Sequence, residues 1–323
     1  MDAVEFLQGL KSDQRVVVCA HVRPDGDAVG STLALVRTLH LNGVDAYPLL
    51  AENKPAPRFY SWLVGFDEYL TPDQVEEWDR IDALIVLDTP VVKRLGAAQK
   101  ILERADRSLV IDHHPELEDF GDIRIIDQSA AATAQIVWDL IVEAGLPFDK
   151  EVATASYCGL ASDTGRFMFS NTSAEVFRSA AQMLDAGVDI NDANVRLFSS
   201  KPAELLTLEA LVLERMMILN NGKVTCSWLT QDDFDTIGVR RDEAESIIDL
   251  IRSLEGSEVS LLVIFGDTST RVSLRSKTDA DVGSIAESFG GGGHRAAAGI
   301  NWPEQSADLT AILDTLTPLL PGA

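Results

Sequence analysis

Aspartate and histidine residues occur together in several short runs of this sequence. Neutral imidazole and ionised carboxylate are protein ligands of hard or borderline divalent metal ions. Carboxylates gathered closely repel one another unless cations lie between them. The runs therefore predict a metal centre, and its candidate residues are His21, Asp25, Asp27, Asp88, Asp112, His113, His114 and Asp163.

Buried parallel strands are predicted to bring these runs together. Continuous Val, Ile and Leu residues indicate strands buried on both faces, and they occur at about 16–20, 44–50, 81–87, 108–111 and 123–126. Helical patterns alternate with them, which is typical of a doubly wound α/β domain with a mainly parallel sheet. Because the carboxyl ends of neighbouring strands line one crevice, we expect His21, Asp88 and Asp112 to meet there.

A capping role is the alternative for some of these acids. Aspartate at the end of a strand often caps the next helix, and this is the commoner role for Asp27 or Asp88 taken alone. The coincidence of several acid-bearing runs at predicted element ends favours metal binding instead. Carboxylate and imidazole without thiolate suit manganese or magnesium. Two ions are expected, bridged by Asp88, because paired ions make a water nucleophilic for attack on phosphorus.

The charge of the chain limits its partners. Its 323 residues include 27 Lys and Arg against 51 Asp and Glu, a formal net charge of -24. This field disfavours duplex DNA but leaves short phosphorylated substrates open. The sequence has neither a signal peptide nor an apolar run near the roughly 18 residues of a membrane span, so we expect a cytoplasmic protein without a membrane partner.

A smaller α/β domain with a mixed sheet is predicted in the second half. The pattern weakens at 191–203, which predicts a linker between a metal-binding domain at 1–190 and a substrate-binding domain at 204–323, with the active site in the cleft between them. A leucine-rich helix is expected at 203–219 and further helices at 242–253 and 282–289. Strands are expected at 223–230, 259–265 and 270–277, and Gly266-Asp267 predicts a hairpin between the last two.

Five motifs follow one another along the chain: His-x-x-Pro-Asp-Gly-Asp-Ala, Leu-Asp, Asp-His-His, Ser-Asp-Thr-Gly-Arg-Phe and Gly-Gly-Gly-Gly-His. This order resembles the DHH phosphoesterases with a DHH-associated C-terminal domain, and most of all the bacterial nanoRNase/pAp phosphatase group. The resemblance covers nearly the whole chain. It implies two manganese ions, with magnesium or cobalt as substitutes, one on His21, Asp25 and Asp88 and the other on Asp27, Asp88, His113 and Asp163.

The resemblance also implies roles for neighbouring residues. His114 is expected to face the scissile phosphate or the leaving oxygen. Asp112 is expected to orient a ligand, or alternatively to cap its loop. Arg166 could reach a phosphate, or alternatively form an ion pair on a helix surface.

The four-glycine run predicts a loop whose backbone approaches a nucleotide closely. It is not a Walker loop, because Gly-Lys-Ser/Thr is missing. The resemblance implies that this loop and the preceding strand hold the phosphate and terminal nucleoside of the substrate, through Ser273, Arg275, Gly292, Gly293 and His294.

The resemblance implies an enzyme that uses a metal-activated water to degrade di- to pentaribonucleotides to 5'-mononucleotides. It would also remove the 3'-phosphate of 3'-phosphoadenosine 5'-phosphate (pAp), giving AMP. A homodimer is expected. The alternatives are a phosphodiesterase for cyclic dinucleotides or their linear products and, from a different class, a nucleotide-binding sensor without turnover.

Overall fold

The computed structural model describes residues 2–115, 117–241, 244, 247–302 and 309–322. The chain divides into two compact units, Met1–Ser200 and Lys201–Ala323. Most of the segment predicted as a linker is a helix, Ile190–Phe198, because the Asp189 side chain accepts hydrogen bonds from the first backbone amides of that helix. No helix in the described part of the chain is long and apolar enough to cross a membrane.

The first unit alternates strands and helices. Its strands are β1 (Arg15–Cys19), β2 (Asp45–Leu49), β3 (Ala83–Leu87), β4 (Ser108–Asp112) and β5 (Ile123–Ile126). Its helices are α1 (Ala3–Gln8), α2 (Gly26–Leu41), α3 (Pro72–Glu76), α4 (Gln99–Arg104), α5 (Thr133–Glu143), α6 (Lys150–Asp163), α7 (Ala174–Asp185) and α8 (Ile190–Phe198). Each strand predicted for this half of the chain is present.

The five strands form one parallel sheet in the order β2-β1-β3-β4-β5. Strand β3 is buried along its whole length, as its apolar sequence predicts. The chain passes from β1 to β2 on one side and then returns to β3 on the other side, so the strand order reverses between β1 and β3. Ligands of doubly wound proteins bind at such a reversal, outside the carboxyl ends of the strands. The predicted doubly wound fold is confirmed.

Helices α2 and α6 pack with their backbones in close contact. A Cβ atom on Gly30 would lie 2.4 Å from the carbonyl oxygen of Ala155, and one on Gly159 would lie 2.9 Å from Oδ1 of Asp27. Neither glycine has room for a side chain. Because Asp27 lies in the first turn of α2 and Asp163 ends α6, this packing sets the separation of two candidate ligands.

The second unit contains a mixed sheet. Its helices are α9 (Ala203–Glu214), α10 (Gln231–Ile237), α11 (Ile248–Arg252), α12 (Val282–Ser288) and α13 (Leu309–Leu316). Its strands are β6 (Met217–Leu219), β7 (Val224–Thr230), β8 (Val259–Phe265), β9 (Thr270–Ser276), β10 (Gly292–His294) and β11 (Ala297–Trp302). The strand order is β10-β11-β9-β8-β7-β6, with β7 and β8 parallel and the other pairs antiparallel. The predicted mixed sheet and the β8–β9 hairpin are confirmed.

Two elements of the second unit differ from the sequence prediction, and part of a third lies outside the described residues. Helix α9 ends at Glu214 rather than at 219, because Met217–Leu219 instead pairs with β7. The predicted loop at 290–293 is partly a strand, since Gly292–His294 pairs with β11. The predicted helix at 242–253 is present as α11, while residues 242, 243, 245 and 246 lie outside the described residues.

Candidate metal centre and nucleotide-binding face

The loop after β1 carries the first candidate ligand, His21. The ring is buried, and its Nδ1 lies 2.8 Å from the carbonyl oxygen of Val22. A backbone partner on Nδ1 fixes the ring and directs Nε2 towards the centre. Nε2 lies 3.2 Å from Oδ2 of Asp88 and 3.8 Å from Oδ2 of Asp25.

Asp25 and Asp27 both cap helices. Oδ1 of Asp25 accepts hydrogen bonds from the amides of Asp27 and Ala28, at the start of α2. Asp27 accepts from the amides of Thr133 (2.6 Å) and Ala134 (2.8 Å), in the first turn of α5. A carboxylate has about four lone-pair sites. Capping therefore orients these carboxylates and still leaves them able to bind a metal ion.

Asp88 follows β3 at the point where the strand order reverses. It is 2% exposed, and its φ of 54° is uncommon for a residue other than glycine. The Thr133 hydroxyl donates to Oδ1 at 3.2 Å. Oδ2 faces Nε2 of His21, while Oδ1 lies 3.5 Å from Nε2 of His113 and 3.3 Å from Nδ1 of His114. The two oxygens face different groups, as a bridging carboxylate requires.

His113 approaches the Asp88 oxygen that His21 does not, and Asp163 lies beside His113. Nε2 of His113 is 3.3 Å from Oδ2 of Asp163 and 4.0 Å from Oδ2 of Asp27. Asp163 is the last residue of α6.

The candidate ligand atoms form three groups, and within each group the atoms lie within 4.8 Å of one another. Two of the groups share no residue: His21, Asp25 and Asp88, and Asp27, His113 and Asp163. The third group, Asp88, His113 and His114, shares one member with each of the other two.

His114 is oriented by Asp112. Oδ1 of Asp112 accepts from the backbone amide of His114 (3.0 Å) and lies 2.7 Å from its Nδ1. Burial lowers the pKa of His114, but hydrogen bonds to Asp112 and Asp88 outweigh this effect and raise it to about 10. Two roles were considered for Asp112, capping of its loop and orientation of a ligand. Its Oδ1 atom makes both contacts, one to the backbone amide and one to the ring of His114.

The electrostatics of the cluster fit a divalent-ion site. Burial and the charge of Asp88 raise the pKa of Asp27 well above its usual range. Burial also opposes ionisation of Asp88, but hydrogen bonds to His114 and His21 hold its pKa well below the usual range. Burial lowers the pKa of His21, whereas hydrogen bonds to Asp25 and Asp88 raise it to about 10 overall. Protons on these groups balance charge that metal ions would balance instead, so the donor set fits two hard cations.

Four of the five nucleotide-binding residues predicted for the second unit share one face of its sheet: Ser273, Arg275, Gly292 and His294. Gly293 pairs with Ala298 and belongs to the opposite face. Strand β9 alternates buried and half-buried residues, and Ser273 and Arg275 are on its half-buried face. Directly paired residues of antiparallel strands present their side chains on the same face. Two rows therefore cross β9, β11 and β10 side by side, Ser273–Gly299–Gly292 and Arg275–Ala297–His294.

Small residues keep this face open. A Cβ atom on Gly292 would meet no atom within 4 Å. Gly293 has a φ of 141°, and a Cβ there would lie 2.5 Å from the carbonyl oxygen of Ala297, so only glycine fits. His294 is exposed at the end of the row. A flat ligand group could therefore approach the backbone at Gly292 while Arg275 and His294 remain at the surface.

The described side-chain contact of Arg166 is with Phe198 and not with a candidate metal ligand. Its guanidinium lies 4.5 Å from the ring centroid of Phe198, which is a cation–π contact rather than the surface ion pair considered above. Its backbone has a φ of 63°. The side chain is exposed three residues after Asp163.

Sequence reasoning missed the residues that support the ligands. Thr133 and Ala134 hold Asp27 through backbone amides, for which a sequence carries no side-chain signal. Gly30 and Gly159 interrupt helical patterns, and unexplained glycines inside helices are a recognisable sign of close packing.

A doubly wound sheet with a buried carboxylate–imidazole cluster at its strand-order reversal, followed by a mixed-sheet unit, defines a two-domain α/β protein with a candidate dinuclear centre. The N-terminal domain of the DHH family matches residues 15–160, and the DHHA1 domain matches residues 221–320. The chain belongs to the DHH family, and the resemblance recognised in its motifs is confirmed.

Relatives with assigned names are similar along most of the chain. The bifunctional oligoribonuclease and PAP phosphatase NrnA of Thermus thermophilus is 35% identical over 284 residues, 88% of this chain and 83% of the relative. The protein of the same name from Bacillus subtilis is 26% identical over 97% of both chains. The crystal structure of an exopolyphosphatase-related protein from Bacteroides fragilis has a TM-score of 0.87 and 25% identity, covering 95% of this chain and 91% of that one.

Proposed function

We propose that this protein is a manganese-dependent phosphohydrolase that degrades di- to pentaribonucleotides to 5'-mononucleotides and converts pAp to AMP. The observation that carries the proposal is Asp88, whose two carboxylate oxygens face separate groups of candidate ligand atoms. The names of the two NrnA relatives supply the substrate class.

Two divalent ions are assigned to the two ligand groups that share no residue, with Asp88 shared between the ions. Manganese is proposed because the donors are oxygen and imidazole nitrogen, with magnesium or cobalt as substitutes. When bound, such ions supply a water of lowered pKa and positive charge beside a phosphoryl group. The residues proposed to hold them are His21, Asp25, Asp27, Asp88, His113 and Asp163.

His114 is proposed to act on the substrate. In the ion-free protein, hydrogen bonds to Asp112 and Asp88 raise the pKa of the ring to about 10. Nδ1 faces Asp112, and Nε2 is proposed to act on a phosphate oxygen or on the ribose oxygen that leaves. Asp112 keeps the ring in this orientation.

The face of the second unit is proposed to bind one nucleotide of the substrate. Arg275 and His294 supply hydrogen-bond donors, Ser273 a hydroxyl, and Gly292 a surface without a side chain, while Gly293 allows the close backbone approach of the neighbouring strand. Arg166 is proposed as a further phosphate contact. A site that holds only one end of a substrate suits the net charge of -24, which disfavours a long phosphate track.

The proposal is tested with oligoribonucleotides of increasing length, pAp and cyclic dinucleotides, each with manganese, magnesium, cobalt or a chelator. Release of mononucleotide or phosphate is measured by chromatography. We expect turnover of pAp and the shortest oligonucleotides with manganese, and falling rates beyond about five nucleotides.

Four outcomes contradict the proposal. Hydrolysis that survives complete chelation contradicts the metal-dependent mechanism. Undiminished cleavage of long strands contradicts a site that binds the end of the substrate. Binding of pAp without turnover under every ion condition indicates the nucleotide sensor, and turnover confined to cyclic dinucleotides indicates the alternative phosphodiesterase.

A further inference from the structure

Most arginine side chains in the described part of the first unit have a protein partner. Arg37, for example, pairs with Asp149, and Arg80 with Asp82. Three arginines differ. Within the described residues, the side chains of Arg23, Arg58 and Arg94 have no ion pair, hydrogen bond or aromatic contact.

These three arginines belong to the segments around the candidate metal centre. Arg23 lies between His21 and Asp25 in the loop after β1. The backbone amide of Val22 donates to the carbonyl oxygen of Arg94 at 2.8 Å, which joins the segments that carry Arg23 and Arg94.

Arg58 precedes Tyr60 by two residues. The hydroxyl of Tyr60 lies 3.2 Å from the position of a Cβ on Gly26, at the start of α2. Of the three arginines without a partner among the described residues, Arg23 and Arg94 therefore lie on two segments joined next to the centre, and Arg58 lies near a tyrosine that contacts the start of α2.

Arg23 is the most constrained of the three. Its φ of 55° is uncommon for a residue with a side chain, and Pro24 follows it directly. Although Asp25 is only two residues away, its Oδ2 is directed to His21 and its Oδ1 to the first turn of α2. Arg23 is thus an exposed cation in an uncommon backbone conformation, and no acid among the described residues pairs with it.

We propose that Arg23, assisted by Arg94, binds a phosphate group of the substrate other than the one that is hydrolysed. A guanidinium binds phosphate through two parallel hydrogen bonds. The first unit then selects substrates that carry a second phosphate, such as nucleoside bisphosphates and oligonucleotides with a 5'-phosphate. This inference rests on the proposed phosphohydrolase function and adds a specificity to it.

The test compares substrate pairs that differ only in the second phosphate: pAp with adenosine 3'-phosphate, and a dinucleotide with and without a 5'-phosphate. The variants are Arg23→Gln, Arg23→Lys and Arg94→Gln. The control is Arg178→Gln, an exposed arginine of α7 that pairs with Glu175. Manganese binding by each variant is measured by calorimetry to establish that the centre is intact.

We expect Arg23→Gln to lower kcat/KM for the substrates with two phosphates on the order of tenfold to a hundredfold, because a charge-assisted bidentate contact is lost. Substrates with one phosphate should change less than about twofold, since the contact is absent there. Arg23→Lys should restore part of the loss, and Arg178→Gln should behave as wild type.

Equal loss with both members of a pair, or no loss with either, overturns the proposal. If Arg23→Gln also weakens manganese binding, the proposal is tested with Arg94→Gln on the neighbouring segment. The same substrate pairs, with and without the second phosphate, are then compared. A wild-type protein that hydrolyses no member of either pair refutes the proposed function instead, and pAp binding to Arg23→Gln by calorimetry then decides the role of Arg23 separately.

Discussion

Asparagine at position 88 should remove most of the stabilisation that manganese is expected to give to the protein. Asn keeps the size of the side chain and tolerates the left-handed backbone found at Asp88, where φ is 54°. It removes one charge whose two oxygens face His21 at 3.2 Å and His113 at 3.5 Å. One oxygen becomes an amide nitrogen, which donates hydrogen bonds, and the other oxygen loses its charge, so both charged contacts are lost.

The size of the effect follows from these two lost contacts. If each contributes about 1.5–3 kcal/mol, the Kd for manganese rises about 10²–10⁴-fold. At a concentration a hundredfold above the wild-type Kd, binding stabilises the native protein by about 2.7 kcal/mol, or about 5–11 °C in Tm for a unit of this size. At the same concentration the variant gains about 0.4 kcal/mol or less, or about 1–2 °C.

Differential scanning calorimetry with and without manganese measures this shift, and pAp hydrolysis is followed in parallel. Asp139→Asn is the control for the loss of one carboxylate charge, because Asp139 is an exposed residue of α5 that accepts a hydrogen bond from Ser179 and belongs to none of the ligand groups. An Asp88→Asn protein that keeps the full manganese-dependent rise in Tm would refute the shared-ligand geometry.

Three further predictions address protonation and packing. The pKa of His21 is raised from 6.5 to about 10 in the ion-free protein, so its proton stabilises the fold fully below pH 6.5, and this stability is lost as pH rises to about 10. Because manganese must displace that proton, its affinity should rise up to about tenfold per pH unit within this window, and a constant affinity by calorimetry would contradict the assignment. Gly159→Ala should lower the free energy of unfolding by about 1–3 kcal/mol and weaken manganese binding, because the added Cβ would lie 2.9 Å from Oδ1 of Asp27. An unchanged Tm would show that α2 and α6 can move apart at no cost in stability. Gly292→Ala should leave Tm unchanged, since its Cβ meets no protein atom, yet raise KM for pAp, and an unchanged KM would exclude close approach of the nucleotide there.

Much of the first unit could be predicted because its strands are continuous apolar runs. Burial on both faces of a parallel sheet leaves such runs in the sequence, and parallel pairing then brings the residues after β1, β3 and β4 to one edge. That step alone placed His21, Asp88 and Asp112 together. Contacts made through backbone amides, such as those from Thr133 to Asp27, depend on tertiary structure and leave no pattern.

The second unit was predicted less well because its differences depend on pairing between distant residues. The leucine-rich pattern of α9 continues past Glu214, but Met217–Leu219 gains a ladder of backbone hydrogen bonds by pairing with β7. Glycines favour loops in sequence, yet Gly292 and Gly293 pair with β11, where the missing side chain of Gly292 opens the sheet face. In both places tertiary pairing overrides local preference.

The carboxylate of Asp27 is held by the amides of Thr133 and Ala134, so a candidate metal ligand also completes the first turn of α5. Occupancy of the centre and fraying of that turn are consequently linked in one equilibrium. The rate of hydrogen exchange at these two amides would therefore report the fraction of protein with metal bound, and the measurement needs no substrate. The local opening of α5 would then vary with the concentration of available metal ions.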